Sequence, residues 1–326
     1  MSTEHPIDFS KKMLLFCGRF LRSYLKKDRF TPLKTPALSI EVTNLCNSKC
    51  IYCANKIMQR KPEPLDIGLF KKAVDDFVKI GGSNLDLNPC IGETLLDPYL
   101  MERLKYLKQF PEIKSLGFFT NLQWLHKFNL EEFLDSGITW LMISVMLLGR
   151  EKYDDFFGVD RYAQTLENIV NLIKANDQRQ NKIKISFSLK TGIGPLKKTA
   201  DHPDFKMLDA LLKGELSKEL DNTGLTVHDF CGQIELPKYL KKRPLYPRYL
   251  RPCEFFYKVL KLFSNGKIGV CVCADFETTS ELTLGDIRKD SLSDIWHGKK
   301  LAQLRSKWRK HNIIPALCRR CSNYAY

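Results

Sequence analysis

No run of eighteen or more apolar residues occurs in the 326-residue sequence, so no helix is expected to span a bilayer. There is no signal peptide. The N-terminal apolar stretch is short, studded with Lys and Arg, and followed by no small-residue cleavage site. Both absences point to the cytoplasm. No internal repeat and no low-complexity segment is present, and no helix-turn-helix, zinc-finger or RNA-binding signature accompanies the net charge of +15. Charge alone is weak evidence for nucleic acid, so the expectation is no nucleic-acid partner and a basic solvated surface open to anionic groups.

What the chain does have is cysteine, eleven in all. In a short exported protein that number would suggest disulfides. Here the chain is long and carries no export signal, so metal binding or redox chemistry is the better reading. The odd count leaves at least one cysteine outside any disulfide framework. The 44% apolar fraction and the length allow a sizeable core, with one large domain and a small one.

Periodicity organises the chain into three parts, at 1–35, 36–235 and 236–326. The first holds an amphipathic helix, Phe9 to Lys27, with Met13, Cys17, Phe20, Leu21 and Tyr24 at helical spacing. It would pack on the main domain or make a peripheral contact with an anionic membrane surface.

From Ala37 onward strands and helices alternate. Strands are expected at 37–43, 84–87, 114–120, 139–145, 182–189 and 225–230. Helices are expected at 66–80, 99–110, 130–136, 162–175 and 205–220. Six such units predict an α/β fold with a parallel sheet, open or curled into a partial (β/α)6 TIM-like barrel, with ligands at the C-terminal strand ends. The third part starts with a basic, Pro- and Tyr-rich linker over 238–252. A hairpin at 260–273 follows, turned by Asn265-Gly266, and then a helix at 292–309.

The first strand runs into Cys46, Cys50 and Cys53, at C-x3-C-x2-C spacing. A cubane iron–sulfur cluster takes a thiolate on each iron that the protein fixes. Three close cysteines fix three irons and leave the fourth open to a ligand. Zinc is the alternative, but it usually closes with four ligands, and no fourth lies nearby. The spacing at the end of a first strand resembles the radical S-adenosylmethionine (SAM) superfamily.

That resemblance covers much of 37–145 and implies a [4Fe-4S] cluster with SAM bound at the open iron, cleaved to a 5′-deoxyadenosyl radical. Tyr52 fills the family's aromatic position beside adenine. Ile91-Gly92-Glu93 looks like its Gly-Gly-Glu motif, which implies that Glu93 holds the SAM amino group. Thr120-Asn121 resembles its Thr-Asn-Gly motif, with Leu122 in place of glycine. Ile143-Ser144-Val145 resembles its Ile-Ser-x-Asp motif, with Met146 in the acidic place.

Near the C-terminus stand Cys253, Cys271, Cys273, Cys318 and Cys321. The hairpin folds Cys271 back toward Cys253, and the last helix returns Cys318 and Cys321, so that four thiolates can close on one cluster. Four thiolates also suit a structural zinc. The pattern resembles the auxiliary-cluster modules known as SPASM and, in shortened form, twitch. The cysteines for a second auxiliary cluster are lacking, so the twitch form fits, with one auxiliary [4Fe-4S] cluster and Cys273 spare.

A cluster closed by four cysteines leaves no iron for substrate, so electron transfer is its natural role. The proteins it resembles include amino-cyclitol dehydrogenases, and the wider group includes epimerases in which a cysteine returns a hydrogen atom. The expected enzyme is an oxidoreductase or epimerase acting on a small-molecule substrate: a sugar, a cyclitol, or a nucleotide- or lipid-linked sugar. Its electron donor would be of the flavodoxin or ferredoxin kind. Cys90 and Cys231, at the ends of the second and sixth strands, are candidate hydrogen donors. His228 and Asp229 are candidates to hold or deprotonate a hydroxyl. The basic stretch Lys241, Lys242, Arg243, Tyr246, Arg248 and Arg251 could meet a phosphate. Two other readings remain: a peptide- or protein-modifying maturase, and a zinc-stabilised binding protein.

Overall fold

The computed structural model describes residues 30–190, 196–221, 226–242 and 252–322. The helix expected over 9–27 and the basic residues Arg243, Tyr246, Arg248 and Arg251 lie outside these residues.

Five parallel strands lie side by side in chain order: β1 (Ala37–Ile40), β2 (Asn84–Asp86), β3 (Ser115–Thr120), β4 (Trp140–Val145) and β5 (Lys184–Leu189). The crossovers carry α1 (Ile67–Lys79), α2 (Leu100–Leu107), α3 (Leu130–Leu134), α4 (Arg150–Phe157) and α5 (Tyr162–Asp177). α1 shows why these segments fold locally. Asp66 caps it by accepting from Leu69 N at 2.9 Å, and Phe70, Ala73, Val74 and Phe77 bury one face at helical spacing. Along β4, Leu141, Ile143 and Val145 are buried, while Trp140, Met142 and Ser144 are half-buried on the opposite face. Ser144, a candidate site residue, lies on that opposite face.

The chain is thus an α/β protein with a parallel core of the partial TIM-like kind. Its sixth parallel strand comes from an unexpected place. Of the segment expected at 225–230, the described residues form only a two-residue strand, β6 (Thr226–Val227), paired with β7 (Lys241–Lys242) in a separate sheet. Asp229 has already left the extended region, with φ of −108° and ψ of 26°, and Phe230 and Cys231 turn left-handed after it, with φ of 49° and 64°. The main sheet instead takes β8 (Val259–Leu262) beside β1, in parallel register from Ala37↔Val259 to Ile40↔Leu262. β9 (Lys267–Gly269) and β10 (Thr283–Asp286) then add antiparallel. The Asn265-Gly266 turn is present, but β9 stops before Cys271, which sits in a loop.

Two further differences have local causes. The single helix expected over 205–220 is two, α7 (Pro203–Leu211) and α8 (Glu215–Asp221), following a short α6 (Leu196–Asp201); Lys213 and Gly214 are both left-handed between them. After the one-turn α9 (Phe255–Lys258), the last helix is likewise two, α10 (Leu292–His297) and α11 (Lys299–His311), broken at the extended Gly298. No described helix is long and apolar enough to cross a membrane.

Candidate functional site

The loop after β1 carries Cys46, Cys50 and Cys53, all partly buried. It is held from below. Lys49 N donates to Phe157 O at 2.8 Å and Ile51 N to Phe156 O at 3.0 Å, which fastens it to α4. A Cβ at Gly158 would lie 2.8 Å from Lys49 O, so only glycine permits that approach. On the other side Asn121 Nδ2 donates to Asn47 Oδ1 (2.9 Å) and Ser48 Oγ (3.2 Å). Gln123 Nε2 donates to Ser48 Oγ (3.0 Å) and Tyr153 OH (2.9 Å). Sequence reasoning did not single out Ser48, Gln123 and Tyr153. They carry no motif and are found only through the contacts they make.

Burial, and next to it the Glu93 carboxylate, push the Cys46 thiol up to about 12. Burial also raises Cys50 and Cys53. For Cys50 the neighbouring Cys53 and Cys46 add to the rise, and Lys190 opposes it. As thiolates, three cysteines so close together in an enclosed loop would repel one another, and a cationic metal offsets that repulsion. Among the described residues, no three His, Cys, Asp or Glu side chains converge on a single-ion position; a cubane asks instead for thiolates spread over separate irons.

Glu93 is buried and lies in reach of the same loop. Its Oε2 accepts from Asn121 N at 2.7 Å, and its Oε1 from Thr120 Oγ1 at 2.6 Å and Leu95 N at 3.2 Å. Among the described residues no cation pairs with it. Burial therefore raises its carboxyl from 4.5 to about 6 despite these hydrogen bonds. A buried carboxylate left without a counter-charge fits the ammonium of SAM.

Gly92 beside it has φ of 148°, and a Cβ there would meet Thr43 O at 2.6 Å. Leu122 adopts the left-handed conformation, φ 59°, that glycine takes more easily. Tyr52 packs on Phe156 at 4.8 Å, with Lys190 Nζ 5.7 Å from its ring centre. Ser144 is half-buried at the end of β4, opposite Ser188. Tyr52, Gly92, Glu93 and Asn121 are thus gathered around the three cysteines.

A pH dependence follows for the cluster-free protein. The folded carboxyl of Glu93 titrates above its unfolded value, so the folded state favours the protonated form. This stabilisation is full below about 4.5 and is lost as pH rises through about 6. The loss is about 2 kcal/mol. Glu93→Gln should flatten this slope in denaturation curves at pH 5 and 7.5, while weakening SAM binding. An unchanged slope would show that Glu93 titrates normally.

The second cysteine group surrounds a cavity lined by Cys231, Cys253, Cys271, Cys273, Cys318 and Cys321, closed by Phe255, Phe256, Val270, Leu282 and Leu317. The four expected ligands are thus brought together. Burial raises the thiols of Cys271 and Cys318, and for Cys318 the neighbouring Cys271, Cys253 and Cys321 raise it further. The apolar wall and convergent thiols suit an iron–sulfur cluster as they do the first site.

The structure places Cys231 in this cavity, not at an open mouth; it is buried, and the neighbouring Cys321 and burial raise its thiol. Asp229 is buried too. It pairs with Lys242 and accepts from Ser322 Oγ at 3.3 Å. Burial alone would raise its carboxyl, but hydrogen bonds from Lys242 and Gly232 N hold it below the usual range, so it is a weak base. His228 is half-buried against Phe230, 4.3 Å between ring centres.

Cys90 lies between the two groups, near Cys271 and Cys273. Its N donates to Glu41 Oε2 at 3.0 Å; burial raises its thiol, then Glu41, while Lys261 lowers it. Buried Lys261 itself bonds Ser39 Oγ (3.1 Å) and Asn88 O, and Ser39 donates to Asp86 Oδ1 at 2.6 Å. These four polar residues of β1, β2, the loop after β2 and β8 were not foreseen, because β8 was not expected beside β1.

Comparison with known families decides what this arrangement belongs to. A radical SAM superfamily model matches residues 40–186, and the SPASM iron–sulfur cluster-binding domain matches 253–322. The chain belongs to the radical SAM superfamily. It is a radical SAM enzyme with a C-terminal SPASM domain, and its cofactors are a [4Fe-4S] cluster with SAM and an auxiliary cluster.

A probable GTP 3′,8-cyclase of Saccharolobus islandicus is 24% identical over 263 residues, 73% of this chain and 78% of its own. GTP 3′,8-cyclase 2 of Pseudomonas aeruginosa is 28% identical over 144 residues, 44% of this chain and 43% of its own. Among solved structures, BtrN in complex with AdoMet and 2-DOIA superposes with TM-score 0.60 at 17% identity, over 90% of this chain and 94% of that one. Streptococcus suis SuiB bound to precursor peptide SuiA gives TM-score 0.60 at 14%, over 100% and 79%. Both share the fold of this chain.

Proposed function

We propose that this enzyme oxidises a carbohydrate or cyclitol-like small molecule by removing a hydrogen atom from a carbon bearing a hydroxyl. The cofactors supply the one-electron chemistry: a 5′-deoxyadenosyl radical to take the hydrogen atom, and an acceptor for the electron that remains. Cys46, Cys50 and Cys53 would hold the first cluster, and Cys253, Cys271, Cys318 and Cys321 the auxiliary one. Glu93 would bind the amino group of SAM, with Asn121 fixing both Glu93 and the cysteine loop, and Tyr52 and Ser144 alongside.

The observation that carries the reading is the auxiliary cavity, which gathers enough thiols to close every iron and sits beside Cys90. A closed cluster suits an electron acceptor rather than a substrate-binding metal. Cys90, packed with Cys53 against one apolar cluster and near Cys271 and Cys273, is the candidate between the two cysteine groups. If a thiol returned a hydrogen atom to the substrate, the outcome would be epimerisation, and Cys90 would be that thiol.

The test is an anaerobic assay with SAM, reductant and a panel of sugars, cyclitols, nucleotide-linked sugars and GTP. The expected result is 5′-deoxyadenosine formed in step with a product two hydrogens lighter than one of the sugars or cyclitols. A product of unchanged mass carrying solvent deuterium would mean epimerisation. Turnover only with GTP or only with a peptide would sink the carbohydrate reading.

A further inference from the structure

We infer that Asp86 is the base of the oxidation, the carboxylate that takes the proton of the substrate hydroxyl. This rests on the oxidation proposed above. Removing a hydrogen atom from a carbon bearing a hydroxyl leaves a carbon radical with its O–H bond intact. Conversion to the carbonyl breaks that O–H bond, makes the C–O bond double, and releases one proton and one electron. In that reading the auxiliary cluster accepts the electron. The proton needs an acceptor of its own. With the proton on Asp86 and the electron on the cluster, the step balances.

Three other carboxylates near the cysteine groups are already engaged. Glu41 Oε1 accepts from Ser264 N and Oγ and pairs with Arg60, and its Oε2 accepts from Cys90 N. Both oxygens of Glu93 accept from β3 and the residue after it. Asp229 pairs with Lys242. Asp86 is different. Its Oδ1 accepts from Ser39 Oγ at 2.6 Å and from Asn88 N at 3.2 Å, and among the described residues nothing donates to Oδ2. One oxygen orients the group and the other is left open on a half-buried side chain. Behind Ser39 stands the fully buried Lys261, whose Nζ donates to Ser39 Oγ at 3.1 Å. Burial raises the Asp86 carboxyl, which makes it a stronger base than a carboxylate in water, and the Lys261 cation opposes that rise.

The sheet face beside Asp86 has room for a ring. Phe118 packs on Phe133 of α3, so Phe119 next to it faces the other way, on the side of Asp86 and Ser144. Phe119 is 46% exposed there and meets Trp140 edge to face, with ring centres 6.0 Å apart. Gly117 stands in register between Asp86 and Trp140, and a Cβ on it would collide with the indole. The result is an apolar shelf next to a carboxylate. A sugar or cyclitol has matching surfaces, an apolar C–H face and a rim of hydroxyls that donate hydrogen bonds. The shelf also adjoins the SAM site, because Phe119 is followed by Thr120 and Asn121, the partners of Glu93.

The test uses the full chain, reconstituted anaerobically, with SAM, reductant and the sugar or cyclitol of the panel that the wild type oxidises, deuterated at the reacting carbon. Asp86→Asn keeps the acceptor for Ser39 and removes the base. Its iron content, and its binding of the same sugar by calorimetry without reductant, should match the wild type. Its kcat for oxidised product should fall about a hundredfold or more, while deuterium still enters 5′-deoxyadenosine. Asp86→Ala should lose product in the same way and regain part of it when formate is added, a small base that fits the space the side chain leaves. Wild-type product formation by Asp86→Asn would overturn the proposal. So would loss of sugar binding, or loss of deuterium transfer together with product, since either makes Asp86 a binding residue and not the base. A wild type that oxidises no sugar or cyclitol would instead overturn the oxidation reading, and this inference with it.

Discussion

Replacing Cys46, Cys50 and Cys53 by alanine should abolish 5′-deoxyadenosine formation and halve the iron content, from about eight per chain to about four. The first effect follows because these three thiols would be the protein's whole hold on the first cluster. The loop fixed to α4 by Lys49 and Ile51, and to β3 by Asn121, presents no fourth cysteine. The second follows because the auxiliary cavity is lined by residues from 231 onward, none of them from the mutated loop. The reciprocal variant, Cys318/Cys321→Ala, should also fall to about four irons. It should keep SAM cleavage in the absence of substrate while losing oxidised product. Metal analysis, sulfide content and chromatography of the nucleoside products measure all of this. Zinc at the C-terminal site would keep the radical chemistry but remove the electron acceptor. No iron at all after sound reconstitution would remove both.

The two cysteine groups differ in how much of them the sequence makes legible, and the difference is one of range. Cys46, Cys50 and Cys53 fall within eight residues at the end of a strand, so local spacing suffices. Glu93 is legible because it follows Gly92 at the next strand end, and the structure brings it beneath the same loop through Asn121 and Thr120.

Cys231 is different. Alternation suggested a strand through Phe230 that would carry the thiol to an open mouth. The left-handed turn at Phe230 and Cys231 instead sends it into the auxiliary cavity. Local hydrogen bonds to Asp229 O and Phe230 O close that turn, and Arg320, Ser322 and Ala274, more than forty residues away in sequence, hold its flanks at Gly232, Asp229 and Gln233. The sixth strand was misplaced for a related reason. Apolar alternation marks a strand but does not name its neighbour, and β8 pairs with β1 across more than two hundred residues. With it comes Lys261, whose partners Ser39, Asn88 and Asp86 no spacing rule could supply.

Removing the Arg103 side chain should cost about 3–5 kcal/mol of stability, because it leaves a buried carboxylate unpaired. Arg103 is fully buried. Its Nε donates to Asp97 Oδ2 at 2.6 Å, and it also bonds Leu65 O. Its guanidinium stacks over Phe70 at 4.8 Å and Tyr99 at 5.6 Å, which lets a charge be packed among apolar groups. Burial pushes the Asp97 carboxyl up, and the guanidinium pulls it back down; with Arg103 gone, only the hydrogen bond from Tyr99 N is left to oppose burial.

The pair is a clamp behind Glu93. Asp97 follows the single turn Thr94–Leu96 that begins at Glu93, and Arg103 ties it to the start of α1. Arg103→Ala should therefore lower the denaturation midpoint and, at temperatures where the fold persists, weaken SAM binding through displacement of Glu93. The double variant Arg103→Met/Asp97→Leu removes both charges and should recover much of the lost stability. Denaturant titration of the two variants against the parent separates the cases. A double variant no more stable than Arg103→Ala would place the cost in lost packing against Phe70 and Tyr99, not in the stranded charge.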